Sequence, residues 1–167
     1  MTDRFINLEL SQARWLVIFS YLIALFLDTM MIMQNANLLI PPFTLLLQMY
    51  WSAQFLKHTH FVSAFVLGLL LDALYQTVLG THALMFIILT FIMLRYRLLF
   101  RSHSVLQQAL VIAFYLYAYQ FMGYVLFAPV LEETQQIHYW IMPLTALVFW
   151  PLLALSLRWL TQKLITQ

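Results

Sequence analysis

Cysteine is absent from the chain, which excludes disulfides, thiolate metal sites and cysteine nucleophiles at once. Charge is nearly as scarce. Only 8% of residues are Asp, Glu, Lys or Arg, against about 25% in soluble domains. The eight basic residues give a formal net charge of +2, but they are scattered between apolar runs. No exposed basic stripe results, so nucleic acid is not an expected partner. Catalytic signatures are missing as well: there is no G-x-S-x-G, no Walker loop, no H-E-x-x-H and no acid pair with a base beside it. A hydrolase or transferase needs a positioned nucleophile or base with an orienting partner, and none can be assembled. The expectation is a non-enzyme without a cofactor. Of the histidines only His58 and His60 lie close together. They flank no helical i, i+4 ligand pair, so no metal site is expected.

What the chain has in abundance is apolar surface. Hydrophobic residues make up 64% of it and the mean hydropathy is +0.87, so a soluble fold would expose patches no monomer tolerates. Lipid is the natural solvent. A polar leader to Arg14 precedes the first run, Trp15–Met33, which lacks a signal peptide's short core and cleavage site. The second, Leu38–Leu56, opens on Pro41 and Pro42, tolerated in a first helical turn, and carries Tyr50 and Trp51 suited to a headgroup boundary. Phe61–Leu94 would be too long as one helix for a hydrocarbon core of about 30 Å. It divides at Tyr75–His82 into spans at 61–77 and 81–98. Runs at 105–131 and 137–160 complete the set, the last interrupted by Pro143 and Pro151. The fold expected is all-α: a single integral membrane domain over 1–167 with six transmembrane helices.

Charge tests that count. With the amino terminus inside, Arg4, Arg14, Lys57, Arg95, Arg97, Arg101, Arg158 and Lys163 all fall on the cytoplasmic side, and Glu132 and Glu133 in the last outer loop. The positive-inside rule favours this arrangement, with both termini cytoplasmic, and five or seven spans would spoil it.

Inside the spans, Asp28 and Asp72 stand level at a depth of roughly 18–20 Å, with Gln48 slightly deeper. No basic residue is expected at that depth, so burial would favour their neutral forms. They either form a polar cluster for a proton, ion or small ligand, or fix helix packing as buried hydrogen-bonding groups. The second reading is favoured. Gly68, one turn before Asp72, would admit a close helix approach or simply be a small core residue, and Gly80 suits a turn with positive φ. On span five Tyr115 and Tyr119 share a face that Gly123 could open into a groove. That face binds a partner's transmembrane helix, or it serves interface and core packing. The basic loop around Arg95, Arg97 and Arg101 either faces cytoplasmic or lipid-headgroup partners, or only sets topology.

The stretch Gly68, Leu69, Leu70, Leu71, Asp72, continued by Leu79, Gly80, Ala83 and Leu84, resembles the motif of the rod shape-determining MreD family of bacterial inner membranes. Pro41 with Tyr50 and Trp51, the run Leu106–Val111, and Trp150-Pro151 followed by Arg158 support the resemblance. Tyr75 and Gln76 depart from the family's small residue and glycine. The resemblance implies a non-enzymatic scaffold of the cell-elongation complex that makes peptidoglycan. It implies binding to MreC through transmembrane helices, and company with the MreB filament, RodA and its class B penicillin-binding protein. It also implies a fold like the six-helix substrate-binding subunits of energy-coupling-factor transporters, and membrane lipids as neighbours. Self-association is left open. The rival is a small-molecule-binding transporter subunit, with Asp28, Gln48 and Asp72 lining its pocket.

Overall fold

The computed structural model describes residues 10–33, 40–55, 60–127 and 133–165; Arg4, Lys57, His58 and Glu132 lie outside them. Among the described residues the regular structure is entirely helical: α1 (Leu10–Met33), α2 (Phe43–Gln54), α3 (Phe61–Tyr75), α4 (Thr81–Ser102), α5 (Val105–Phe127), α6 (Glu133–Ile141) and α7 (Ala146–Ile165), with a 3-10 turn at Met142–Thr145. Among the described residues, four segments are long and apolar enough to cross a membrane: Arg14–Met31, Thr81–Ser102, Val105–Phe127 and Gln135–Lys163. The helices α2 and α3, with 12 and 15 residues, measure only about 18 and 22 Å. The second expected run is therefore shortened. Pro41 precedes a proline and so avoids the helical region, and Pro42 is extended, at φ −64° and ψ 110°, as the N-cap rather than in the first turn, so the helix starts only at Phe43.

That short helix is the centre of the bundle. Every residue from Thr44 to Ala53 is buried, as befits a helix enclosed on all sides. Tyr50 and Trp51, expected at a headgroup boundary, are core residues instead, at 4% and 0% exposure. The Trp51 Nε1–H donates to Ser20 Oγ at 3.0 Å, and its ring stacks on Phe55. Around this centre, α1 buries Val17, Tyr21, Ala24 and Asp28 along one face and exposes Trp15, Phe19, Ile23 and Phe26 on the other. Apolar groups thus face outward as well as inward, which a bundle surrounded by lipid permits.

Contacts fix the helix directions. Asp28 meets the start of α2 and Ser20 its later turns, so α1 and α2 are antiparallel. Gln48 meets Thr90 and Gln54 meets Arg101, so α2 and α4 run the same way. One end of the bundle therefore carries Asp28, Asp72 and His82, and the other Gln54, Arg101 and His103.

Two further expectations change here. The arginine-bearing segment is not a loop: no proline or glycine interrupts Leu94–Arg101, and α4 continues to Ser102. Only His103 and Ser104 separate it from α5, whose start is a capping box. Ser104 N–H donates to Gln107 Oε1 at 2.9 Å, and Gln107 N–H to Ser104 Oγ at 3.4 Å. The sixth run is broken at Pro143, which lies in the 3-10 turn between α6 and α7, while Pro151 is accommodated inside α7.

Candidate functional site

Each of the two buried acids, Asp28 and Asp72, sits near the end of one helix and caps the start of the next. The Asp28 Oδ1 accepts the Phe43 N–H at 2.8 Å and its Oδ2 the Thr44 N–H at 2.9 Å. These are donors that the first turn of α2 leaves without an intrahelical partner. The Asp72 carboxyl does the same for α4, accepting the Gly80 N–H at 2.8 Å and the His82 N–H at 3.1 Å. It also accepts the hydroxyls of Thr77 and Thr81, both at 2.8 Å, and lies 2.7 Å from His82 Nδ1. The positive end of a helix dipole favours an acidic group at this place. Two successive helix pairs, α1–α2 and α3–α4, thus share one device. The expectation that no basic group stands beside either acid is corrected: His82, counted only as part of the span break, is the partner of Asp72.

Glycines set the backbone around that cap. A Cβ on Gly68 would lie 2.3 Å from Ala83 Cα and 2.5 Å from Ala83 N, so α3 and α4 touch backbone to backbone there. The turn between them uses Gln76 at φ 54° and Gly80 at φ 99°. Tyr75 and Gln76, the departures from the family pattern, do not prevent the close approach, which lies two turns earlier.

Gln48 is a separate hub. Its Oε1 accepts Tyr21 Oη–H at 2.9 Å and Ser63 Oγ–H at 3.2 Å. Its Nε2 faces His60 O at 3.1 Å, Thr90 Oγ1 at 3.3 Å and Ser52 Oγ at 3.4 Å. Four helices or their caps are tied through one amide, which removes the cost of burying it. Asp28, Gln48 and Asp72 therefore do not line one pocket. A cavity of about 220 Å³ at the acid-bearing end is lined by Asp28, Tyr75, His82, Tyr119, Gln120 and Gly123 among others, but not by Gln48 or Asp72. Among the described residues no three His, Asp or Glu side chains gather to hold a metal.

The face of α5 expected to meet a partner is turned inward. Tyr115 is 8% exposed, and Tyr119 packs its ring on those of Phe86 and His82. Gly123 lines the cavity rather than an outer groove. The outward side of α5 carries Phe114, Phe121 and Val125 instead. Of the arginines, Arg95 is exposed, Arg97 half-buried and Arg101 buried. The Arg101 Nη1 donates to Gln54 O at 3.4 Å, where a cation complements the negative end of α2. Residue reading missed Tyr21, Ser63, Thr77, Thr81, His82 and Thr90. The cluster of polar residues from Gln76 to His82, just after an acid, was the available signal for the α4 cap.

A reciprocal pair joins α5 to α6: Gln120 Nε2 donates to Tyr139 O at 2.6 Å, and Tyr139 Oη to Gln120 O at 2.8 Å. Between α1 and α7 runs an apolar groove of about 420 Å³, with Phe43 and Leu47 of α2 at its floor. The polar chemistry of the interior is thus spent on holding helices together. Residues 10–160 match the family model described as rod shape-determining protein MreD. No solved structure matches the chain.

Proposed function

The chain belongs to the MreD family of rod shape-determining proteins, and on that premise we propose that it is a non-catalytic scaffold of the cell-elongation complex. Membership carries a role in rod shape, and the apolar helices make it a membrane protein. The finer reading is a bundle crossing the bacterial inner membrane six times, with both termini cytoplasmic. The alternating helix directions support it, as do Arg14, Arg101, Arg158 and Lys163, which fall towards one side. The short α2 and α3 count as crossings in this reading because α2 is enclosed by protein and α3 is packed closely on α4, so neither has to span the lipid alone. A helix arrangement like the substrate-binding subunits of energy-coupling-factor transporters belongs to the same reading.

The observation that carries the scaffold role is the family match over nearly the whole apolar chain. Its chemistry agrees: both buried acids and Gln48 are occupied by hydrogen bonds that position helices. In this role the protein holds MreC through a helix-to-helix contact, within a complex that includes the MreB filament, RodA and its class B penicillin-binding protein. The concave groove between α1 and α7 supports such a contact. The scaffold biases a partner's conformation only through differential contact. The test is depletion in living rods, scored for width. Rounding is the expected result, and rods that stay rods would refute the role.

A further inference from the structure

Two acceptors in the wall of the cavity at the acid-bearing end, Asp28 and Gln120, keep capacity beyond the bonds that hold helices. Each oxygen of Asp28 accepts one backbone N–H, and a carboxylate has about four acceptor sites. Gln120 commits its Nε2 to Tyr139 O, while its Oε1 is buried with no hydrogen-bond partner among the described residues. A buried acceptor of that kind asks for a donor.

Much of the remaining wall is aromatic. Tyr75, Tyr119 and Phe127 line the cavity together with His82, and their ring centroids lie 5.2, 6.2 and 5.2 Å from that of the imidazole. The faces of such rings are negative and attract cations. No Lys or Arg occurs in 15–56, 58–94 or 102–157, the stretches that supply the lining. His82 stands 2.7 Å from the Asp72 carboxyl, so a charge on it is offset. The wall thus offers an acid, an open amide oxygen and three aromatic rings, with no Lys or Arg to oppose a cation. Size narrows the occupant further. At about 220 Å³ the cavity far exceeds the roughly 10–15 Å³ that one water needs. It falls below the about 300–1,000 Å³ of sites for drug-sized ligands.

We infer that this cavity binds one small organic ammonium ion, its charge met by Asp28 and the rings of Tyr75, Tyr119 and Phe127, and an N–H by Gln120. The inference goes beyond the scaffold reading and does not depend on which partner the protein holds.

The test titrates the full chain in nanodiscs with cyclohexylammonium, followed by saturation-transfer NMR against empty nanodiscs. Cyclohexanol, similar in shape but uncharged, and cyclohexanecarboxylate, of opposite charge, are the controls. Saturable binding of the ammonium ion is expected, about tenfold tighter than that of cyclohexanol because its contacts are charge-assisted. Asp28→Asn should weaken ammonium binding about tenfold and leave cyclohexanol unchanged. Tyr119 belongs to neither helix cap: Tyr119→Leu should weaken binding about fivefold, and Tyr119→Phe, which keeps the ring, about twofold at most. An unfolding midpoint is read for each variant, and if Asp28→Asn does not fold the Tyr119 pair decides. Alcohol or carboxylate bound as well as the ammonium ion would overturn the site, as would no saturable signal below about 10 mM. So would a folded Asp28→Asn or Tyr119→Leu variant that binds the ammonium ion like wild type.

Discussion

The Oδ1 of Asp72 lies 2.7 Å from His82 Nδ1, and the same carboxyl accepts the backbone N–H groups of Gly80 and His82. A side chain in the last turns of α3 therefore completes the first turn of α4. This contact explains why an acid can stand fully buried in an apolar bundle: its oxygens meet only groups able to donate. It also gives the sequence from Gly68 to Ala83 a single physical purpose, which is to bring two helices into backbone contact and lock the turn between them.

Removing the cap should be costly. Asp72→Ala leaves two N–H groups and two hydroxyls without their acceptor, and a buried unsatisfied donor costs about 1–3 kcal/mol. The expected outcome is a loss of about 3 kcal/mol, read as a lowered unfolding midpoint in detergent. Asp72→Asn, which keeps one carbonyl acceptor, should fall between the two.

The parallel device on α1–α2 predicts a smaller effect. Asp28 accepts the Phe43 and Thr44 N–H groups, and loss of such a cap is worth about 1–2 kcal/mol. Asp28→Ala should destabilise less than Asp72→Ala in the same assay.

Glycine positions should separate sharply. The nearest atoms to a Cβ on Gly68 are backbone, at 2.3 and 2.5 Å, whereas on Gly123 the nearest is Tyr139 Oη at 3.6 Å. Gly68→Ala must push α3 and α4 apart, for about 1–3 kcal/mol. Gly123→Ala should be close to neutral.

Gln48→Leu keeps much of the volume but leaves Tyr21, Ser63 and Thr90 without this partner. A loss of about 2–3 kcal/mol is expected. Tyr21→Phe in the same background should then cost less than it does alone, because the two groups share one bond.

The apolar runs and the breaks between them were legible in the sequence, because hydropathy and helix breakers are local properties. The turn at Gly80 was legible for the same reason. Four things were not. Tyr50 and Trp51 look like headgroup anchors until α2 is known to be enclosed by its neighbours. Tyr115 and Tyr119 share a helical face, but periodicity does not say whether that face meets lipid or α4. The pairing of Asp72 with His82 depends on how tightly α3 turns into α4. Likewise, charge ends the hydrophobic run near Arg95 and suggests a loop, although nothing in Leu94–Arg101 ends a helix.

The scaffold role is tested most directly by gentle solubilisation of rod-shaped cells carrying a tagged copy, followed by capture and a search of the bound fraction for MreC. Stoichiometric MreC is predicted with wild-type protein, and also with a Gly123→Ala variant that leaves the bundle intact. Wild-type protein recovered folded, from cells that need it for shape, yet without MreC would contradict the account.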